Sequence, residues 1–240
     1  MDQLPDLLRA PTQGGLMEQA YRRLKRQIIE LQRPPGVVFT ELEVARDWGL
    51  SKTPVREALA RLHRDGHVRP LARAGYVVAD ITLSDAADLC DMRSLVQSEA
   101  AALCADRGLP PDTRARLVAL CVDDIDGQLG GPHFEERLRA NYEFEAIIAN
   151  GSGNHRLAAT AVAIFDDLER VARLSIRLDP SMPPERIPER RAIVDAIISR
   201  EPDAARKAMR RRTSSAAREI LGALNTSADI THTPIQLPGA

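Results

Sequence analysis

Leu16, Ala20, Leu24, Ile28 and Leu31 fall at spacings of four, four, four and three, which marks one face of a helix over Leu16–Gln32. Arg33-Pro34-Pro35-Gly36 stops it, because proline cannot continue a helix. Thr40 opens a second helix, and Glu43 completes a capping box in which each side chain bonds the other residue's backbone amide. Leu42, Ala45 and Trp48 are assigned to its buried face, and Gly49 ends it. Ser51 caps a third helix. Pro54 is tolerated in its first turn, where amides lack intrahelical partners, and Val55, Leu59 and Leu62 form its apolar stripe. After Asp65-Gly66 come two extended stretches, His67–Leu71 and Tyr76–Ala79, read as a hairpin with Gly75 at its turn. Three helices followed by a hairpin predict a winged helix-turn-helix over residues 15–79.

Beyond residues 80–83, a short link, the pattern becomes helical throughout. Six helices are predicted near 84–107, 112–130, 133–150, 154–178, 185–200 and 202–223, separated by Gly- and Pro-containing breaks. The predicted fold is therefore mainly α, a winged helix-turn-helix followed by a helical bundle over 84–224. Residues 1–14 have no period and are assigned to a flexible arm. Residues 225–240, with Thr, Ser and Pro, are assigned to a disordered tail.

Composition supports the helical reading. Hydrophobic residues make up 44% but aromatics only 3%, so the cores must rely on Ala, Leu, Ile and Val. The net charge of −1 hides an asymmetry: residues 1–80 carry 13 basic and 10 acidic side chains, residues 81–240 carry 20 and 24. A mildly basic front half suits a nucleic-acid module joined to something else. Cys90, Cys104 and Cys121 form no disulfide framework and no zinc spacing, and the first ten residues show no signal-peptide pattern. No apolar run is long enough to span a membrane, so a cytoplasmic location is expected.

The chemistry concentrates in Glu41–Gly75. The third helix presents Lys52, Thr53 and Arg56 away from its stripe, near the N-terminal end that recognition helices place at base edges. Arginine can bond guanine O6 and N7 together through its planar fork. Arg61, Arg64 and Arg73 are assigned to phosphates, which add affinity but little sequence information. The alternative is an ordinary solvated helix face. SKTPVREALARLHRDGHV resembles the helix-turn-helix signature of GntR-type regulators, and the likeness extends over residues 16–79. The resemblance implies DNA contacts by Ser51, Lys52, Thr53 and Arg56, with the wing tip Arg73-Ala74-Gly75 on the minor-groove side. Where the family commonly has arginine, this chain has Lys52, which keeps the charge and loses the fork.

MRSLVQSEAAALCADRG, NYEFEAIIANGSGNHRL and PERRAIVDAIISREPDAARKAMRRR resemble the effector domain of the FadR subgroup, the FCD type. Many members hold a divalent metal there with one Asp and three His. The matching positions here are Asn141, Glu145, Arg190 and Arg212, and Gln97 stands where glutamate is usual. Two arginines converging on such a site repel a divalent cation, so no metal and no other cofactor is expected. Arg93 is assigned to the same cavity. Asn141, Glu145, Arg190, Arg212 and Arg93 then form either a pocket for a small anionic effector, an organic acid, or a closed structural Glu–Arg cluster.

The leading expectation is a homodimeric regulator, most simply a repressor, that binds palindromic double-stranded operator DNA and answers to that effector. A ligand-independent DNA-binding protein is one alternative. An enzyme using Glu145 with His155, or Cys121, is another, but no GxSxG, HExxH, P-loop or GxGxxG run supports it.

Overall fold

The computed structural model describes residues 15–121, 133–180 and 187–225. The arm assigned to 1–14, the tail beyond Asn225 and the far end of the helix assigned to 112–130 lie outside them. The chain divides into two compact units between Asp80 and Ile81.

In the first unit, α1 (Leu16–Ile29) buries Ala20, Leu24 and Ile28 as its periodicity predicts. It ends short of Gln32 because Leu31 turns to a φ of 56° and buries its side chain ahead of the prolines. α2 (Glu41–Trp48) starts at the expected capping box: the Glu43 amide donates to Thr40 Oγ1 at 3.1 Å, and the Thr40 amide to Glu43 Oε2 at 2.7 Å. Its buried face differs from the expected one. Val44 and Ala45 are buried and Trp48 partly so, while Leu42 is 59% exposed. In so short a helix the adjacent 44–45–48 stripe meets the core, and Leu42, one turn-step away, does not. α3 (Lys52–Arg64) buries Val55, Ala58, Leu59 and Leu62 completely. These stripes and Phe39, Val68 and Val78 make one core.

The hairpin is β2 (Val68–Leu71) and β3 (Gly75–Val78), antiparallel, with Leu71 opposite Gly75. A third strand, β1 (Val38–Phe39), pairs with β3 and gives the order β1-β3-β2. Two residues carry too little alternation to announce a strand. Gly75 is not at the tip of the turn. It opens β3 at a φ of 98°, and a Cβ there would lie 2.4 Å from the Phe39 carbonyl oxygen, so glycine is needed for the close approach of β1.

The second unit contains α4 (Leu83–Arg107), α5 (Pro111–Ala119), α6 (Phe134–Gly151), α7 (His155–Leu178), α8 (Ile187–Ile198) and α9 (Pro202–Asn225). α4 packs against α6, α7, α8 and α9, and its alanines Ala100, Ala101 and Ala105 are fully buried or nearly so, which permits that many neighbours. The bounds of these helices match the expected ones within two residues, except for α5. It ends at Ala119, well before residue 130. The carbonyls just past its end are taken by side chains of α8: Arg190 Nη1 donates to Leu120 O at 3.0 Å, and Arg191 Nη2 to Cys121 O at 3.2 Å.

Candidate nucleic-acid interface and buried charge cluster

α3 separates its two faces cleanly. Pro54, Val55, Ala58, Leu59 and Leu62 point to the core, while Ser51, Lys52, Thr53, Arg56, Glu57 and Arg64 are exposed. Ser51 holds the N-cap position, yet its hydroxyl makes no capping bond, so it stays available at the start of the helix. Arg56 is 63% exposed and its Nε donates to both oxygens of Glu41, at 3.1 and 3.3 Å. Glu41 is the first residue of α2, and sequence periodicity gave no sign of this pairing across 15 positions.

Arg61 is half-buried and bonded to α1. It donates to Glu18 Oε2 at 2.7 Å and its guanidinium lies 3.8 Å from the centre of the Tyr21 ring, both on α1. An ion pair together with an aromatic face ties α3 to α1 through Arg61, whose side chain remains 39% exposed. Tyr21 adds to the tie by donating to Asp65 Oδ2 at 2.7 Å. Arg64 is exposed at the far end of α3. Arg73 is exposed at the wing tip with a φ of 63°, in a turn closed by the Ala74 amide on Leu71 O at 3.1 Å. Gly75, one residue on, serves the strand packing described above rather than the tip.

In the second unit the five predicted residues do come together, from α4, α6, α8 and α9. Glu145 Oε1 accepts from Arg93 Nη2 and from Arg212 Nη1, each at 2.6 Å. Arg212 Nη2 also donates to Asn141 Oδ1, which Arg190 Nη2 approaches at 3.4 Å. Arg93 Nε donates to Gln97 Oε1 at 3.1 Å, one helical turn along α4. The Phe144 ring faces two of the guanidiniums, at 5.2 Å from Arg190 and 5.5 Å from Arg212. All of these charged groups are at most 6% exposed. Glu145 Oε2 and Gln97 Nε2 are buried without a hydrogen-bond partner. Beside Arg93 and Asn141, between Tyr142 and Phe165, lies a cavity of about 50 Å³.

A divalent metal does not fit this donor set. Asn141 Oδ1 and Glu145 Oε1 already accept from guanidiniums, the remaining Glu145 oxygen is a single donor beside those cations, and no imidazole is among the four matched positions. No group of three or more His, Cys, Asp or Glu able to hold a metal occurs among the described residues. The cysteines are equally unsuited to chemistry. Burial raises the thiols of Cys90 and Cys121, and pushes Cys104 up to about 12, which keeps them protonated and unreactive. No helix among the described residues is long and apolar enough to cross a membrane.

Comparison with known proteins agrees with both units. Residues 16–78 match the bacterial regulatory proteins of the gntR family, and residues 88–214 match the FCD domain. A Streptomyces ambofaciens HTH-type transcriptional regulator from an unstable DNA locus is 28% identical over 193 residues, covering 79% of this chain and 78% of its own. An Agrobacterium vitis HTH-type transcriptional regulator from the TAR-I ttuE-ttuC' intergenic region is 33% identical over 116 residues, covering 48% of this chain and 67% of its own. Among solved structures, E. coli McbR/YncC aligns with a TM-score of 0.69 at 20% identity, over 87% of this chain and 98% of that one. A GntR transcriptional regulator from Rhodococcus sp. RHA1 aligns with a TM-score of 0.65 at 19% identity, over 86% and 97%. At such identities the structural likeness bears on the fold. The family and its relatives are transcriptional regulators, which removes the enzyme alternative.

Proposed function

The chain belongs to the gntR family of bacterial regulatory proteins and carries an FCD domain; from that premise we propose that this DNA-binding transcriptional regulator is a cytoplasmic homodimer that represses from a palindromic operator and is released by a small organic acid bound in the helical unit without a metal. A dimer would place two α3 helices on two half-sites. Lys52, Thr53 and Arg56 would meet base edges. Ser51, Arg64 and Arg73 would hold the backbone.

One observation carries the effector reading. Arg93 and Arg212 are buried on the carboxylate of Glu145, Arg190 is buried beside them on Asn141, and the second Glu145 oxygen accepts no bond among the described residues. Guanidiniums bind carboxylates through parallel, charge-assisted bonds that strengthen in a low dielectric. The adjoining cavity is too small for an organic acid as it stands. Binding would therefore displace Glu145 from Arg93 or Arg212 and move α6 against α4 and α9. An effector changes operator affinity only if it binds two arrangements unequally, and this rearrangement supplies the two.

The closed geometry also favours a second reading, in which the cluster is structural and DNA binding is independent of ligand. Thermal-shift screening of mono- and dicarboxylates separates the two. The effector reading predicts stabilisation of the wild type by at least one acid, lost in Arg190→Ala and Arg212→Ala. Retained stabilisation in both variants would place the ligand elsewhere and leave the cluster structural.

A further inference from the structure

We infer that Glu41 is a positioning residue for DNA reading: from the first turn of α2 it clamps the Nε side of Arg56 and so presents the distal fork of that arginine to a base. The bond geometry assigns the work. Only the Nε donor of Arg56 meets Glu41, through both carboxylate oxygens at 3.1 and 3.3 Å. The paired Nη donors at the far end, the ones that can span O6 and N7 of guanine, are not taken up by Glu41. The clamp is itself anchored. The capping box of Thr40 and Glu43 fixes the start of α2, and Val44 and Ala45 seat it in the core. Glu41 is only 23% exposed while Arg56 is 63% exposed, so the acid is the fixed member and the base the presented one.

The arrangement matters more here because Lys52 offers a point charge where a second fork would otherwise stand. A free arginine loses rotamer freedom when it binds, and holding it beforehand lowers that cost. A carboxylate beside DNA otherwise repels phosphates. A charge effect alone therefore predicts tighter binding when Glu41 is neutralised, whereas positioning predicts weaker sequence-specific binding. The two accounts differ in sign.

The inference rests on α3 reading DNA through Arg56, and the test keeps the two apart. A duplex is selected from a random pool by the full-length chain and compared with a scrambled duplex of the same length. Positioning predicts that Glu41→Ala weakens the selected duplex about tenfold, a 1.4 kcal/mol change, with the scrambled duplex unchanged or tighter. Glu41→Gln, still an acceptor, recovers part of the loss. In an Arg56→Ala background, Glu41→Ala causes no further loss. Parallel tightening on both duplexes, or losses from Glu41→Ala and Arg56→Ala that simply add, overturns the positioning role. An Arg56→Ala chain that keeps its full preference overturns the reading of α3 beneath it.

Discussion

Arg56 and Arg212 are the same residue put to opposite uses. Arg56 stands 63% exposed on α3, held from one side by one carboxylate. Arg212 has a side chain 5% exposed on α9, bonded to Glu145 and Asn141. In the first unit the apolar residues of α3 fill the core and leave the cations outside, a face ready for a polyanion. In the second, helices that pack on several sides draw charges inward, where they must satisfy one another. Exposure decides which arginine can recognise DNA and which can hold a structure together or sense a small anion. An exposed pair contributes little to stability, whereas breaking a buried one leaves a charge uncompensated.

Glu145→Ala tests the buried side hardest. It removes the carboxylate shared by Arg93 and Arg212, and a loss of about 3–5 kcal/mol is expected in denaturant unfolding. A loss below about 1 kcal/mol would mean that the guanidiniums are satisfied without Glu145. Gly75→Ala comes next, through both a positive φ and the Phe39 carbonyl: about 1–3 kcal/mol of stability, together with weaker DNA binding as the wing shifts. On the exposed side, Arg56→Ala is expected to cost about 1–3 kcal/mol of sequence-specific binding with little change in melting temperature.

Thr40→Ala has a smaller effect, about 1 kcal/mol of stability. The bond from the Thr40 amide to Glu43 has a pH dependence of definite sign. Glu43's carboxyl is held below its ordinary value by the backbone bond from Thr40 and then by the Thr40 side chain. The contribution is therefore complete above the unfolded carboxyl value of about 4.3 and fades as pH falls through the depressed folded value. The difference in melting temperature between wild type and Glu43→Ala, which removes the titrating carboxylate, should narrow in acid. A difference that widened there would show that Glu43 is not bonded as described.

The sequence revealed what periodicity and local chemistry can carry. The core stripe of α3 and the capping box were legible in this way; the convergence of Asn141, Glu145, Arg190 and Arg212 was implied by the resemblance to the FCD type, while the apolar face of Ile193, Val194 and Ile197 that Arg190 leads indicated only that it points inward. Pairings distant in sequence were not legible. Nothing local tells that Arg61 turns to Glu18, 43 positions away, or that Arg56 meets Glu41. Leu42 was misassigned because an eight-residue helix supports two candidate stripes and leucine is the more apolar choice. Gly75 reads as a turn residue until the strand that crowds it is known, and two-residue β1 is too short to foresee.

The most direct test of the regulatory account is the fluorescence anisotropy of the full-length chain on a labelled, selected duplex during titration with mono- and dicarboxylates, for wild type and Arg212→Ala. The account predicts that at least one acid releases wild type from the duplex, and that Arg212→Ala, once bound, is not released by it. Release of both proteins at the same acid concentration, or no release of a tightly bound wild type by any acid in the series, would contradict it.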